Sequence, residues 1–181
     1  YFNAQFGNSV DFSFEVSEIV TLPSNRKYYG ENNNYGQDAR PAEMIYDACI
    51  GADPSIDFSL YDDDNDGYVD NVVFVIRGNV GDWNDLLWPH KWTLFTQSAA
   101  AYIHGKRVLE YNIQLADNTY YFSVSTLCHE MNHTLGAPDL YHYYNGTSLS
   151  PVGSWDLMQN NARPPQHMGA YMKYEYGTWL D

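Results

Sequence analysis

Apolar residues at Val124, Leu127, Cys128, Met131 and Leu135 recur at helical spacing and predict one apolar stripe on a helix. Residues 10–16, Val-Asp-Phe-Ser-Phe-Glu-Val, alternate strictly and predict a strand with one face on a core. Pro41 at a first helical position, Met44, Ile45, Ala48 and Cys49 at helical spacing, and Gly51 just past them predict a short amphipathic helix. The run 69–76 is apolar enough for a central strand. Residues 101–108 read as a hairpin about Gly105, with Leu109, Tyr111, Ile113 and Leu115 alternating along its outgoing strand. Met168, Tyr171, Met172 and Glu175 mark a closing helix over 166–176. Residues 22–36 and 78–85 read as loops, and 117–119 as the turn before the long helix. Strands and helices are interleaved without repeats or linkers, so an α/β chain forming one domain over 1–181 is expected.

A chain of 181 residues can bury about 70% of its unfolded surface in one core, so a disulfide scaffold is unnecessary. Cys49 and Cys128 each fall on the apolar side of a predicted helix, where two small buried thiols are the simplest reading. The formal charge of −14, from 9 Lys plus Arg against 23 Asp plus Glu, argues against nucleic acid and anionic membranes. No run of about 18 apolar residues predicts a membrane span. Seventeen tyrosines with few lysines resemble exported proteins, and an opening on Tyr1-Phe-Asn suggests a domain excised from a longer precursor, secreted or held at the cell surface or in the periplasm.

The polar side of the 124–135 helix carries the chemistry. His129 and His133, one helical turn apart, project together, and Glu130 borders the same face. That pair of imidazoles suits zinc, with Glu130 as a base for metal-bound water rather than a ligand. Gly136 lets the helix end and the chain turn back. Asp139 then completes His-Glu-x-x-His-x-x-Gly-x-x-Asp and is the expected third zinc ligand, leaving a fourth position for water. Its competitors are Glu175, placed in the closing helix, His142, which has no turn to set up its approach, and Asp156.

A second cluster precedes the 69–76 run. Asp62-x-Asp64-x-Asp66-Gly67 matches the first half of an EF-hand-type calcium loop, with Asp70 able to add an oxygen. Val73 stands where that loop would place its glutamate, so a solvated acidic turn is the competing reading; crowded carboxylates favour a structural calcium. His90 reads either as a packed histidine or as part of a cleft wall.

His129 to Tyr141, as His-Glu-Met-Asn-His-Thr-Leu-Gly-Ala-Pro-Asp-Leu-Tyr, resembles the zinc motif of the immune inhibitor A family of secreted bacterial metallopeptidases, relatives of the metzincins. Residues 69–76 behind their aspartate-rich loop, Trp88-Pro-His-Lys-Trp92, Gly153-Ser-Trp-Asp-Leu-Met158 and residues 165–179 are similar to that family's landmarks in the same order. Asn132 stands where the family has glycine, and Cys128 where a small or apolar residue is usual. The resemblance implies a zincin-like domain: a twisted mixed sheet, an active-site helix, a small irregular part beyond Gly136, and Met158 as an apolar floor under the metal. It implies a monomeric zinc endopeptidase acting on protein or peptide substrates. A catalytically weak zinc- and calcium-binding domain for protein or glycan recognition is the alternative.

Overall fold

The computed structural model describes residues 1–36, 39–78, 88–95, 101–116, 123–143 and 150–177. In chain order the helices are α1 (Phe2–Phe6), α2 (Arg26–Tyr29), α3 (Pro41–Ala52), α4 (Val124–Thr134) and α5 (Ala170–Gly177). The strands are β1 (Tyr68–Val69), β2 (Val72–Ile76), β3 (His90–Thr93), β4 (Ala101–Ile103), β5 (Lys106–Val108) and β6 (Glu110–Leu115). The mixed α/β class expected from the sequence is what forms. The chain makes two compact units, residues 14–118 and residues 1–13 with 119–181. The expected loop at 79–85 and turn at 117–119 lie outside the described residues.

All the described strands belong to the 14–118 unit. β6 runs parallel to β2, with Phe74 opposite Ile113, and antiparallel to β3, with His90 opposite Ile113. β5 pairs parallel with β1 and antiparallel with β4. The β4–β5 turn is His104-Gly105, and both residues take positive φ (50° and 79°) as a two-residue type I′ hairpin turn requires. Pro41 starts α3, and Met44, Ile45, Cys49 and Ala52 form its buried stripe. They share a core with Tyr29, Phe58, Val69, Ile103, Val108, Tyr111 and Ile113.

Three expectations change here. Gly51 lies inside α3 rather than beyond it, and a Cβ there would come within 2.3 Å of the Val20 side chain, so close packing accounts for it. The 69–76 run breaks at Asp70, whose N–H donates to the Tyr61 carbonyl at 2.8 Å, and β6 rather than β2 is central in its described sheet. The alternating stretch 10–16 forms no strand among the described residues. Phe14 and Val16 are 63% and 90% exposed, because alternation supplies a face but not the partner that a ladder needs.

In the other unit, Ser123 caps α4 by accepting a hydrogen bond from the Thr126 N–H at 3.1 Å. Cys128 and Met131 are buried as the stripe predicts, whereas Val124 at its start is exposed. Ser125, Thr126, His129, Glu130 and Asn132 are buried as well, so α4 carries polar groups into the interior. Phe6, Ala137, Met158, Met168 and Met172 form the neighbouring core. The closing helix starts at Ala170, later than expected; Met168 precedes it, its N–H donating to Gln5 Oε1 at 3.0 Å. Cys49 and Cys128 are free buried thiols, pushed up by burial to about 12 and about 11. Neither is poised as a nucleophile.

Candidate metal centre

The helical turn between His129 and His133 sets their ring centroids 4.8 Å apart, with planes at 89°. Each ring is oriented through its far nitrogen. His129 Nδ1 donates to the Leu157 carbonyl at 3.0 Å and His133 Nδ1 to the Ala137 carbonyl at 2.7 Å. Neutral rings engaged this way present bare Nε2 lone pairs. Those two atoms face each other at 3.2 Å.

The helix end delivers the third group. Leu135 and Ala137 N–H both donate to the Asn132 carbonyl, and the Gly136 N–H donates to His133 O at 2.9 Å. Gly136 takes φ 92°, a region open to glycine and costly for other residues. Beyond it, the Leu140 N–H donates to the Met158 carbonyl at 2.9 Å. Asp139 between these anchors puts Oδ1 at 2.9 Å from His129 Nε2 and 3.4 Å from His133 Nε2.

These residues fit a cation. A tetrahedral ion with bonds of about 2.0–2.1 Å holds its ligand atoms roughly 3.3 Å apart, close to the three separations found. A proton on His129 satisfies one of the three contacts, whereas a divalent ion satisfies all of them. The electrostatics agree with that sharing. Burial pushes the His129 imidazole down, but Asp139 and the Glu130 charge outweigh it and raise it above its ordinary value. Burial raises the Asp139 carboxyl, but His129, His133 and Tyr143 together hold it well below the usual carboxylate range. Glu130 is buried one residue from His129. Its charge is felt at His129, Tyr141 and Tyr143, the groups surrounding the three ligand atoms.

Below His129 lies the segment 156–158. Leu157 and Met158 are fully buried. Asp156 accepts from the Met158 N–H through Oδ1 at 2.8 Å and from the Gly169 N–H through Oδ2 at 2.6 Å, which fixes the carbonyl that orients His129. Sequence reasoning missed the Leu157 and Ala137 carbonyls because no residue type announces them. The Tyr143 hydroxyl donates to Asp139 Oδ2, a partner that residue spacing does not announce. His142 is exposed.

The aspartate loop behaves differently. Ligand oxygens of Asp62, Asp64 and Asp66 lie within 4.8 Å of one another. Asp70 does not join them; its Oδ2 accepts from the Asp63 N–H at 3.4 Å, and burial raises its carboxyl. Asp62 takes N–H bonds from Asp66 and Gly67 and an ion pair from Lys106, which holds its carboxyl low. Lys106 thus supplies part of the positive charge that the sequence alone assigned to calcium. His90 is half-buried, with its ring edge-on to Tyr111 at 5.8 Å and Nδ1 2.5 Å from the Trp88 carbonyl; burial pushes it down.

Two histidines on a helix turn and a carboxylate returned by a glycine turn converge with a buried glutamate beside them, an arrangement able to hold a divalent ion. Residues 1–170 match the family described as immune inhibitor A peptidase M6, catalytic domain, and the chain belongs to it. The chain is therefore a metallopeptidase with a zincin-like mixed α/β domain, its substrates proteins. No curated protein matches it. Among the described residues no helix is long and apolar enough to cross a membrane.

Proposed function

We propose that the chain is a zinc-dependent endopeptidase in which His129, His133 and Asp139 hold the ion and Glu130 is the general base. The observation that carries this is the convergence of His129 Nε2, His133 Nε2 and Asp139 Oδ1 beside a buried glutamate. Zinc, when bound, polarises the scissile carbonyl and acidifies the attacking water. The protein's own groups do the rest. Leu157 and Ala137 carbonyls keep both imidazoles in the tautomer that exposes Nε2. Glu130 accepts the proton of the attacking water and delivers it to the leaving amine. Burial of Glu130 keeps bulk water from competing for that proton.

A structural calcium at Asp62, Asp64 and Asp66 is a second part of this reading, supported by their convergence and opposed by Lys106. Export from a bacterial cell and a monomeric, single-domain state over 1–181 are further parts, resting on the family and on composition.

The test pairs two variants with the parent protein, measuring bound zinc and chelator-sensitive cleavage of casein or a fluorogenic peptide library. Glu130→Gln keeps one zinc and loses at least ~10² in turnover, the usual share of general acid–base catalysis. Asp139→Ala loses zinc and activity together, whereas His142→Ala keeps both. A parent protein that binds zinc and cleaves nothing supports the recognition-domain alternative instead.

A further inference from the structure

The two oxygens of Asp139 have different partners. Oδ1 faces His129 Nε2 and His133 Nε2, while Oδ2 accepts a hydrogen bond from the Tyr143 hydroxyl. Tyr143 is not held there by burial, since the residue is 67% exposed while its hydroxyl reaches Asp139. Its ring stands edge-on to Tyr141 at 5.2 Å, and Tyr141 lies nearly parallel to His129 at 6.4 Å and 16°. Burial and the Asp139 charge push the Tyr141 hydroxyl up. Leu140 between these tyrosines and Asp139 is tied to the Met158 carbonyl, so the residues after the third ligand are directed back over it.

We propose that Tyr143 is a positioning residue that occupies Asp139 Oδ2 and so makes Asp139 a one-oxygen metal ligand. This rests on the zinc reading above and adds to it a residue that the His-Glu-x-x-His-x-x-Gly-x-x-Asp pattern does not contain. A carboxylate is free to bind a metal through one oxygen or two. Two-oxygen binding crowds the position that a catalytic site keeps open for water. A hydroxyl donating to Oδ2 draws electron density from that oxygen, fixes rotation about the carboxylate bond and leaves Oδ1 as the donor. Hydrogen bonds of this kind to metal ligands typically account for about 10- to 100-fold in metal affinity or activity.

The test compares the parent protein with Tyr143→Phe, which keeps the ring and removes the donor at an exposed position, so folding is not threatened. Zinc affinity is measured by competition with a chromophoric chelator. The cobalt-substituted proteins are compared by visible absorption, which separates four- from five-coordinate sites. The expected result is zinc binding about 10- to 100-fold weaker and cobalt bands reduced in intensity as Oδ2 joins the metal. A ring that merely packs predicts no change in either, and unchanged affinity with an unchanged cobalt spectrum overturns the proposal. Unchanged affinity with kcat lowered tenfold or more also overturns it, because Tyr143 then acts on the substrate and not through Asp139. If the parent itself takes up no zinc, the zinc reading falls and this inference with it; a zinc-binding parent matched by its variant sinks the positioning role alone.

Discussion

Gly136→Ala isolates how much the centre depends on the turn that returns the chain from α4. Gly136 sits at φ 92°, and a Cβ there would meet Tyr176 Cδ1 at 3.6 Å, an ordinary contact. The cost is therefore backbone strain rather than collision, about 1–2 kcal/mol for an L-residue in left-handed space. At roughly 2–4 °C per kcal/mol for a chain of this size, the melting temperature should fall by about 2–8 °C. The turn also carries function, because the Ala137 carbonyl that follows it orients His133 and Asp139 lies two residues further on. If the metal-free variant relaxes the turn and zinc forces it back, the same strain appears in affinity as about 5- to 30-fold weaker binding. Asn, which tolerates positive φ better than Ala, should fall between the two. Thermal melts by circular dichroism with and without zinc, together with a zinc competition titration, measure both effects. An Ala variant melting within 1 °C of the parent, or ranking above Asn, would refute the strain argument.

Two further outcomes follow from the electrostatics. In metal-free protein His129 titrates above its ordinary value, so its contribution to stability is present below about pH 6.5 and is lost as pH rises through the raised value. Zinc needs the unprotonated ring, so the gain in melting temperature on adding zinc at fixed free concentration should grow from pH 6 to pH 8. A constant or shrinking gain contradicts the shared-proton picture. In the aspartate loop, calcium but not magnesium should raise the melting temperature by mass action, and Lys106→Met, which removes the internal cation paired with Asp62, should enlarge that response. Equal melting with calcium, magnesium and EGTA in both proteins would leave an acidic turn neutralised by Lys106.

What the sequence disclosed was local. His129, His133, Gly136 and Asp139 fall within eleven residues, so helix periodicity and one turn bring them together whatever the rest of the chain does. α3 and the His104-Gly105 hairpin were legible for the same reason. Pairing was not. Residues 10–16 have the alternation of a strand and stay exposed, while Asn112 and Gln114 in β6 supply the polar half of an alternation yet are wholly buried. Polar residues in a two-period pattern mark a second face, and nothing local says whether that face meets solvent or protein. Lys106 reaches Asp62 across 44 positions and changes the charge argument for the loop.

Asn132 shows how the two levels combine at the site. It stands where the resembled family has glycine, on a helix whose proposed ligands and base lie at 129, 130 and 133. Its carbonyl accepts the Leu135 and Ala137 N–H groups that end the helix, a role any residue's backbone can fill. Its side chain is wholly buried. The four groups assigned to metal and proton therefore keep their places, and the departure acts on packing beside α4. Motif spacing decides which atoms converge. Distant carbonyls such as Leu157, and hydroxyls such as Tyr143, decide how firmly they are held.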